Sequence, residues 1–211
     1  HDRDGVQAVL GTLAAETEAL ASKAPSAITV QAWPALTFAG EQLHAAWLRK
    51  LIAGDLGYTL RPWLDARMPA FPAHAEVLAH GLLLDHGQSL EPDPETPGSR
   101  EGAEIGKRLL GAAGGFSCVT CHAAGKEPAQ MQLHFGVINL AHARERIRHE
   151  FYLRWVLNPQ RVNPLTMMPA YTDEDGGTAL SEVHDGDGRK QFEAIWEYLS
   201  TFRVASQHGS R

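Results

Sequence analysis

Between Val6 and Leu20 the apolar residues Val6, Val9, Leu10, Leu13 and Leu20, with Thr17, return at three- and four-residue steps and mark one face of a helix. Pro25 and Ser26 end it. A loop through Trp33-Pro34 leads to a second helical stretch, Glu41 to Ile52, stopped near Gly54. Arg61 to Pro72 carries too much proline to be helical throughout. Ala73 to His86 predicts a further helix with Val77, Leu78, Gly81 and Leu84 on one side. Beyond it, Gln88 to Ser99 sets three prolines among polar residues, the composition of a semi-rigid linker. Helices are then expected over Arg100 to Leu110, His142 to Leu157 (ended by Asn158-Pro159) and Lys190 to Phe202, the last with Phe192, Ile195, Trp196 and Leu199 on one face. Between these, Arg161 to Tyr171 is an extended, proline-flanked loop, and Thr172 to Asp175 with Gly176-Gly177 a short turn. The fold class is all-α.

The pattern repeats itself. Trp47-Leu48-Arg49, then Arg61-Pro62, then Met68-Pro69-Ala70-Phe71, is matched in order by Tyr152-Leu153-Arg154, Asn163-Pro164 and Met168-Pro169-Ala170-Tyr171. Two related modules follow from this, residues 1–87 and 100–211, joined by the linker 88–99.

Bulk composition narrows the partners. Hydrophobic residues make up 44% of the 211 and charged residues 21%, ordinary for a globular protein. A formal net charge of −6 makes neither nucleic acid nor an anionic membrane surface a natural partner. Gly, His or charge interrupts every apolar run before it reaches the length of a membrane span.

Both cysteines of the chain lie in Cys118-Val119-Thr120-Cys121-His122, the C-x-x-C-H spacing of c-type haem attachment. Two thiols so spaced can each add to a porphyrin vinyl group, and the next residue places an imidazole under the iron. A dithiol redox pair or half of a zinc site shares the C-x-x-C spacing. The first expects a βαβ setting, whereas Gly111, Gly114 and Gly115 precede the motif; the second needs two more ligands, and no second cysteine pair exists. For a sixth ligand to the iron, Met168 stands before the rigid turn of Pro169 and repeats Met68; Met167 is the alternative. His134, His142, His149 and His184 lie in polar or helix-surface contexts, and Asp185 to Gly188 reads as a turn.

On these residues, 100 to 202 resemble a class I cytochrome c domain. The resemblance implies a first helix crossing a last one at a small-residue and aromatic contact, for which Gly106 with Trp196 or Tyr198 are the matching residues. It also implies a backbone carbonyl that orients His122; the Gly-Pro usual in that loop is replaced by Gly136-Val137-Ile138-Asn139-Leu140, which leaves open which carbonyl it is. The tandem arrangement as a whole is similar to haem-binding regions of large exported proteins from planctomycete-type bacteria. Short helices wrapped around a haem in each of two cytochrome c-like modules are therefore expected.

The function expected is electron transfer by a haem c held through Cys118, Cys121, His122 and Met168, with Phe116, Leu140, Leu153, Trp155, Leu157 and Tyr171 as apolar cover. No substrate chemistry is required. Alternatives are a di-haem peroxidase-like enzyme and a haem-based gas or redox sensor with a displaceable Met168. The first module has Met68 but no cysteine, so a second haem there would rest on His1 and Met68. The partner expected is a redox protein or an adjoining domain of the same polypeptide. Covalent haem attachment places the chain in the periplasm or otherwise outside the cytoplasm, and a start at His1 suggests a mature or excised fragment.

Overall fold

The structure is a computed structural model that describes residues 36–63, 67–91, 98–131 and 136–202. His1, the Val6 to Leu20 stretch, residues 92–97 of the proline-rich linker and His134 lie outside the described residues. Those described are helical, with isolated bridges and no β-strand among them. None of their helices is long and apolar enough to cross a membrane.

The chain forms α1 (Ala39–Gln42), α2 (Ala45–Ala53) and α3 (Ala75–Asp85), the last entered through a 3-10 turn at Pro72–His74. There follow α4 (Arg100–Leu110), α5 (Cys118–Cys121), α6 (Ala143–Arg146), α7 (His149–Leu157), α8 (Pro159–Val162) and α9 (Gly188–Leu199). The span of α4 coincides with the periodicity read from the sequence. Ser99 caps it, its hydroxyl accepting from the Gly102 amide at 2.9 Å, and Asp187 caps α9 by accepting from the Lys190 amide at 3.1 Å. At its far end α9 stops at Leu199, where the Ser200 amide bonds back to the Glu197 and Trp196 carbonyls.

Two expected helices are broken, and for one shared reason. Leu43 and Ile147 pair as an antiparallel bridge. The His44 amide donates to the Arg146 carbonyl at 3.0 Å and the Arg148 amide to the Gln42 carbonyl at 2.9 Å. Each segment must leave the helical conformation to reach the other. Glu41 to Ile52 is thereby divided into the end of α1 and most of α2, and His142 to Leu157 into α6 and α7.

Apolar burial gathers into two clusters. The first takes Leu43, Trp47, Leu48 and Ile52 against Ala75, Ala79 and Leu83 of α3. The opposite side of α3, with Val77, Leu78, Gly81 and Leu84, is exposed. In the second cluster Leu109, Tyr152, Leu153, Phe192, Ile195 and Leu199 pack around the α4–α9 crossing. That crossing is close: a Cβ at Gly106 would lie 1.9 Å from the Ala194 carbonyl oxygen. Gly106 thus meets backbone, while Trp196 stacks on Tyr152 at 4.5 Å and Tyr198 lies edge-on to Phe202 at 5.2 Å.

Candidate haem-attachment site

After α4 the glycine-rich run folds the chain back on the helix end. A Cβ at Gly115 would lie 2.5 Å from each of the Arg108, Leu109 and Gly111 carbonyl oxygens, so only glycine permits this approach. The reversal brings the Phe116 amide to the Leu109 carbonyl at 2.7 Å and buries the Phe116 ring, stacked on Phe192 at 4.8 Å and tilted against Tyr171 at 5.0 Å. Ser117, in the left-handed region at φ 59°, then starts the single turn of α5. That turn holds both cysteines, and His122 leaves it in extended conformation.

Both thiols are free, Cys118 half-buried and Cys121 exposed. Burial pushes the Cys118 thiol up to about 11, so it stays neutral. His122 Nδ1 lies 2.9 Å from the Ile138 carbonyl. A carbonyl only accepts, so the Nδ1–H donates and the lone pair is left on Nε2. Burial lowers the His122 pKa, against a smaller opposing effect of that hydrogen bond, and keeps the ring neutral as a metal ligand must be. The loop carrying Ile138 is itself fastened: Asn139 exchanges two side-chain bonds with the Gly125 backbone, and the Leu140 amide donates to Ala123.

Met168 faces the same cluster from the loop after α8. Its sulfur accepts from the Trp155 indole N–H at 3.0 Å, and the loop is held by the Gln160 amide on the Met168 carbonyl at 2.8 Å. Met167 is 75% exposed. Phe116 and Leu153 are buried in the second cluster, and Cys118, Leu140, Trp155, Leu157, Met168 and Tyr171 pack against it; Cys121 and His122 are not part of it. Tyr171 is pushed up to about 12 by burial and then by the nearness of Cys118 and Cys121. Met68, by contrast, is 50% exposed and outside the first cluster.

The donor set suits a haem better than the alternative metal. Among the described residues no three His, Cys, Asp or Glu side chains converge as a metal cage, so the cysteines lack the extra donors of a closed zinc site. His142 and His149 direct ring nitrogens to Glu145 at 3.2 Å and Glu193 at 2.7 Å. The carbonyl expected on His122 is that of Ile138, a choice the sequence left open within Gly136 to Leu140, and one feature escaped the reading of the sequence: the indole N–H of Trp155, assigned there only as apolar cover. Compared with known protein families, characterised proteins and solved structures, the chain matches none.

Proposed function

We propose that this protein transfers electrons through a covalently attached haem c, as an exported or periplasmic module working with a redox protein or an adjoining domain. The observation carrying this reading is the pairing of the C-x-x-C-H turn with a His122 ring whose Nδ1–H is taken by Ile138, leaving Nε2 as the donor. When bound, the haem supplies a one-electron iron couple. Cys118 and Cys121 would tether the ring, and His122 Nε2 and the Met168 thioether would hold its iron; the Trp155 N–H uses part of the weak acceptor capacity of that sulfur and orients it. Phe116, Leu140, Leu153 and Tyr171 exclude water, which with methionine ligation favours a relatively high potential. The matching breaks at Leu43 and Ile147 support a duplicated, tandem cytochrome c-like arrangement.

A pyridine haemochrome spectrum together with an intact mass tests attachment, with one haem per 211 residues expected at Cys118 and Cys121. Met168→Ala should abolish the weak methionine-to-iron band at the red end of the oxidised spectrum, while Met167→Ala keeps it. The reverse pattern moves the ligand to Met167, and a chain purified from a haem-attaching host without thioether-bound haem overturns the reading.

A further inference from the structure

The half of the chain without cysteines touches the loop that orients His122. In that loop the Ile138 carbonyl lies 2.9 Å from His122 Nδ1, and just beyond it Asn139 is clasped to the Gly125 backbone while the Leu140 amide donates to Ala123 at 2.8 Å. Just before it, Gly136 and Val137 make no hydrogen bond among the described residues. Trp63 bounds this arm instead. A Cβ at Gly136 would lie 1.8, 2.2 and 2.3 Å from three atoms of the indole, so the ring rests against the Gly136 backbone. Gly136 does not have a positive φ, so the indole, and not the backbone conformation, is what requires glycine here.

The same stretch of the first half grips the segment at a second point. Tyr58 stacks on His142 at 4.0 Å, and its hydroxyl accepts from the Trp47 indole N–H at 2.9 Å and donates to Glu145. Trp47 is buried in the first apolar cluster, which anchors the grip. Contacts at Gly136 and at His142 with Glu145 therefore bracket Ile138 from outside the second cluster. The internal repeat does not supply this contact: Trp63 follows Pro62, whereas Leu165 follows Pro164 and is 91% exposed.

We propose that Trp63 is a positioning residue for His122, and that the half without cysteines braces the loop carrying Ile138; this rests on the function proposed above. With the indole in place Gly136 cannot swing outward, and the Ile138 carbonyl stays on the His122 Nδ1–H. An imidazole whose N–H is accepted in this way donates more strongly through its other nitrogen, which favours the oxidised iron. Without the indole the arm loosens and the bond is made only part of the time.

The full chain from a haem-attaching host tests this. Haem content is measured first. Exchange of the His122 Nδ1–H with solvent is then followed by NMR in the reduced protein, beside the reduction potential, for wild type, Trp63→Ala, Trp63→Phe, Gly136→Ala and the double variant. Trp63→Ala and Gly136→Ala should each speed the exchange roughly tenfold or more and raise the potential. Trp63→Phe, which keeps an aromatic ring on Gly136, should stay near wild type. The double variant should be no worse than Trp63→Ala alone, because the added Cβ then meets no indole. Leu83→Ala loosens the same half without touching the contact and should move neither quantity. Unchanged exchange and potential in Trp63→Ala, or equal changes in Leu83→Ala, overturn the role. So does a fall in potential, which marks water entry rather than a lost bond on the ligand. If Trp63→Ala does not fold, Gly136→Ala decides by the same readings. If no haem is attached, the proposed function fails by itself, and the brace is judged in the haem-free chain by hydrogen exchange at the Leu140 amide: faster in Trp63→Ala upholds it, and an equal rate overturns it.

Discussion

His86 holds two carbonyls with one ring: Nε2 lies 2.6 Å from the Thr37 oxygen and Nδ1 2.8 Å from the Leu82 oxygen. Since carbonyls only accept, both bonds form together only in the imidazolium, and the Thr37 and then the Leu82 carbonyl raise the pKa against a smaller opposing effect of burial. A raised folded-state pKa means that the added stability is complete below the unfolded value, about 6.5, and is lost as pH rises through the higher folded value. Chemical denaturation of wild type and His86→Gln across that rise should show a larger decline in wild type; parallel profiles would remove the role. Tyr58→Phe strips the buried Trp47 N–H and Glu145 of a partner at once and should cost about 1–3 kcal/mol by the same method. Residues of this kind differ in how far sequence can announce them. Cys118, Cys121 and His122 carry their chemistry in their spacing, whereas Ile138 contributes a backbone oxygen that any residue possesses, and only the fold selects it.

Glycines decide how closely the helices approach. At Gly106 in α4 and Gly40 in α1 an added Cβ would lie 1.9 Å from a carbonyl, of Ala194 and Leu82 respectively. Alanine has the better helix propensity by about 1 kcal/mol, but parting the two backbones outweighs it, so Gly106→Ala and Gly40→Ala should each destabilise by about 1–3 kcal/mol. Gly81 in α3 is the control: nothing lies within 4 Å of its Cβ position, and Gly81→Ala should stabilise by about 0.5–1 kcal/mol. Comparing denaturation midpoints of the three variants checks the contrast. Helix α4 was readable in full because its cap, apolar stripe and closing glycine are all local. The breaks at Leu43 and Ile147 were not, because each is caused by a partner about a hundred residues away.

The described residues from Thr37 onward form one compact unit although their apolar side chains fall into two clusters. Polar contacts join them: the Leu43–Ile147 bridge, Arg154 with Glu41, and Tyr58 with Glu145. Leu83→Ala in the first cluster and Leu153→Ala in the second should therefore each cost about 2–5 kcal/mol within a single shared unfolding transition. Calorimetry resolving two transitions, each moved by only one variant, would show the halves to be independent. The repeated Met-Pro-Ala-aromatic run led to two modules being expected, but the residues that join the two apolar clusters do not repeat and carried no signal.

Ser99, at the start of α4, gives both its amide and its hydroxyl to Glu197 in the last turn of α9, at 2.7 and 2.8 Å. The segment from Ser99 to Leu199 therefore begins and ends at neighbouring points in space. A unit whose entrance and exit adjoin can be spliced into a longer polypeptide, or copied in series, without stretching either flank or disturbing its interior. Ser99→Ala removes the hydroxyl half of this clasp and should lower the denaturation midpoint while leaving the α4–α9 crossing in place.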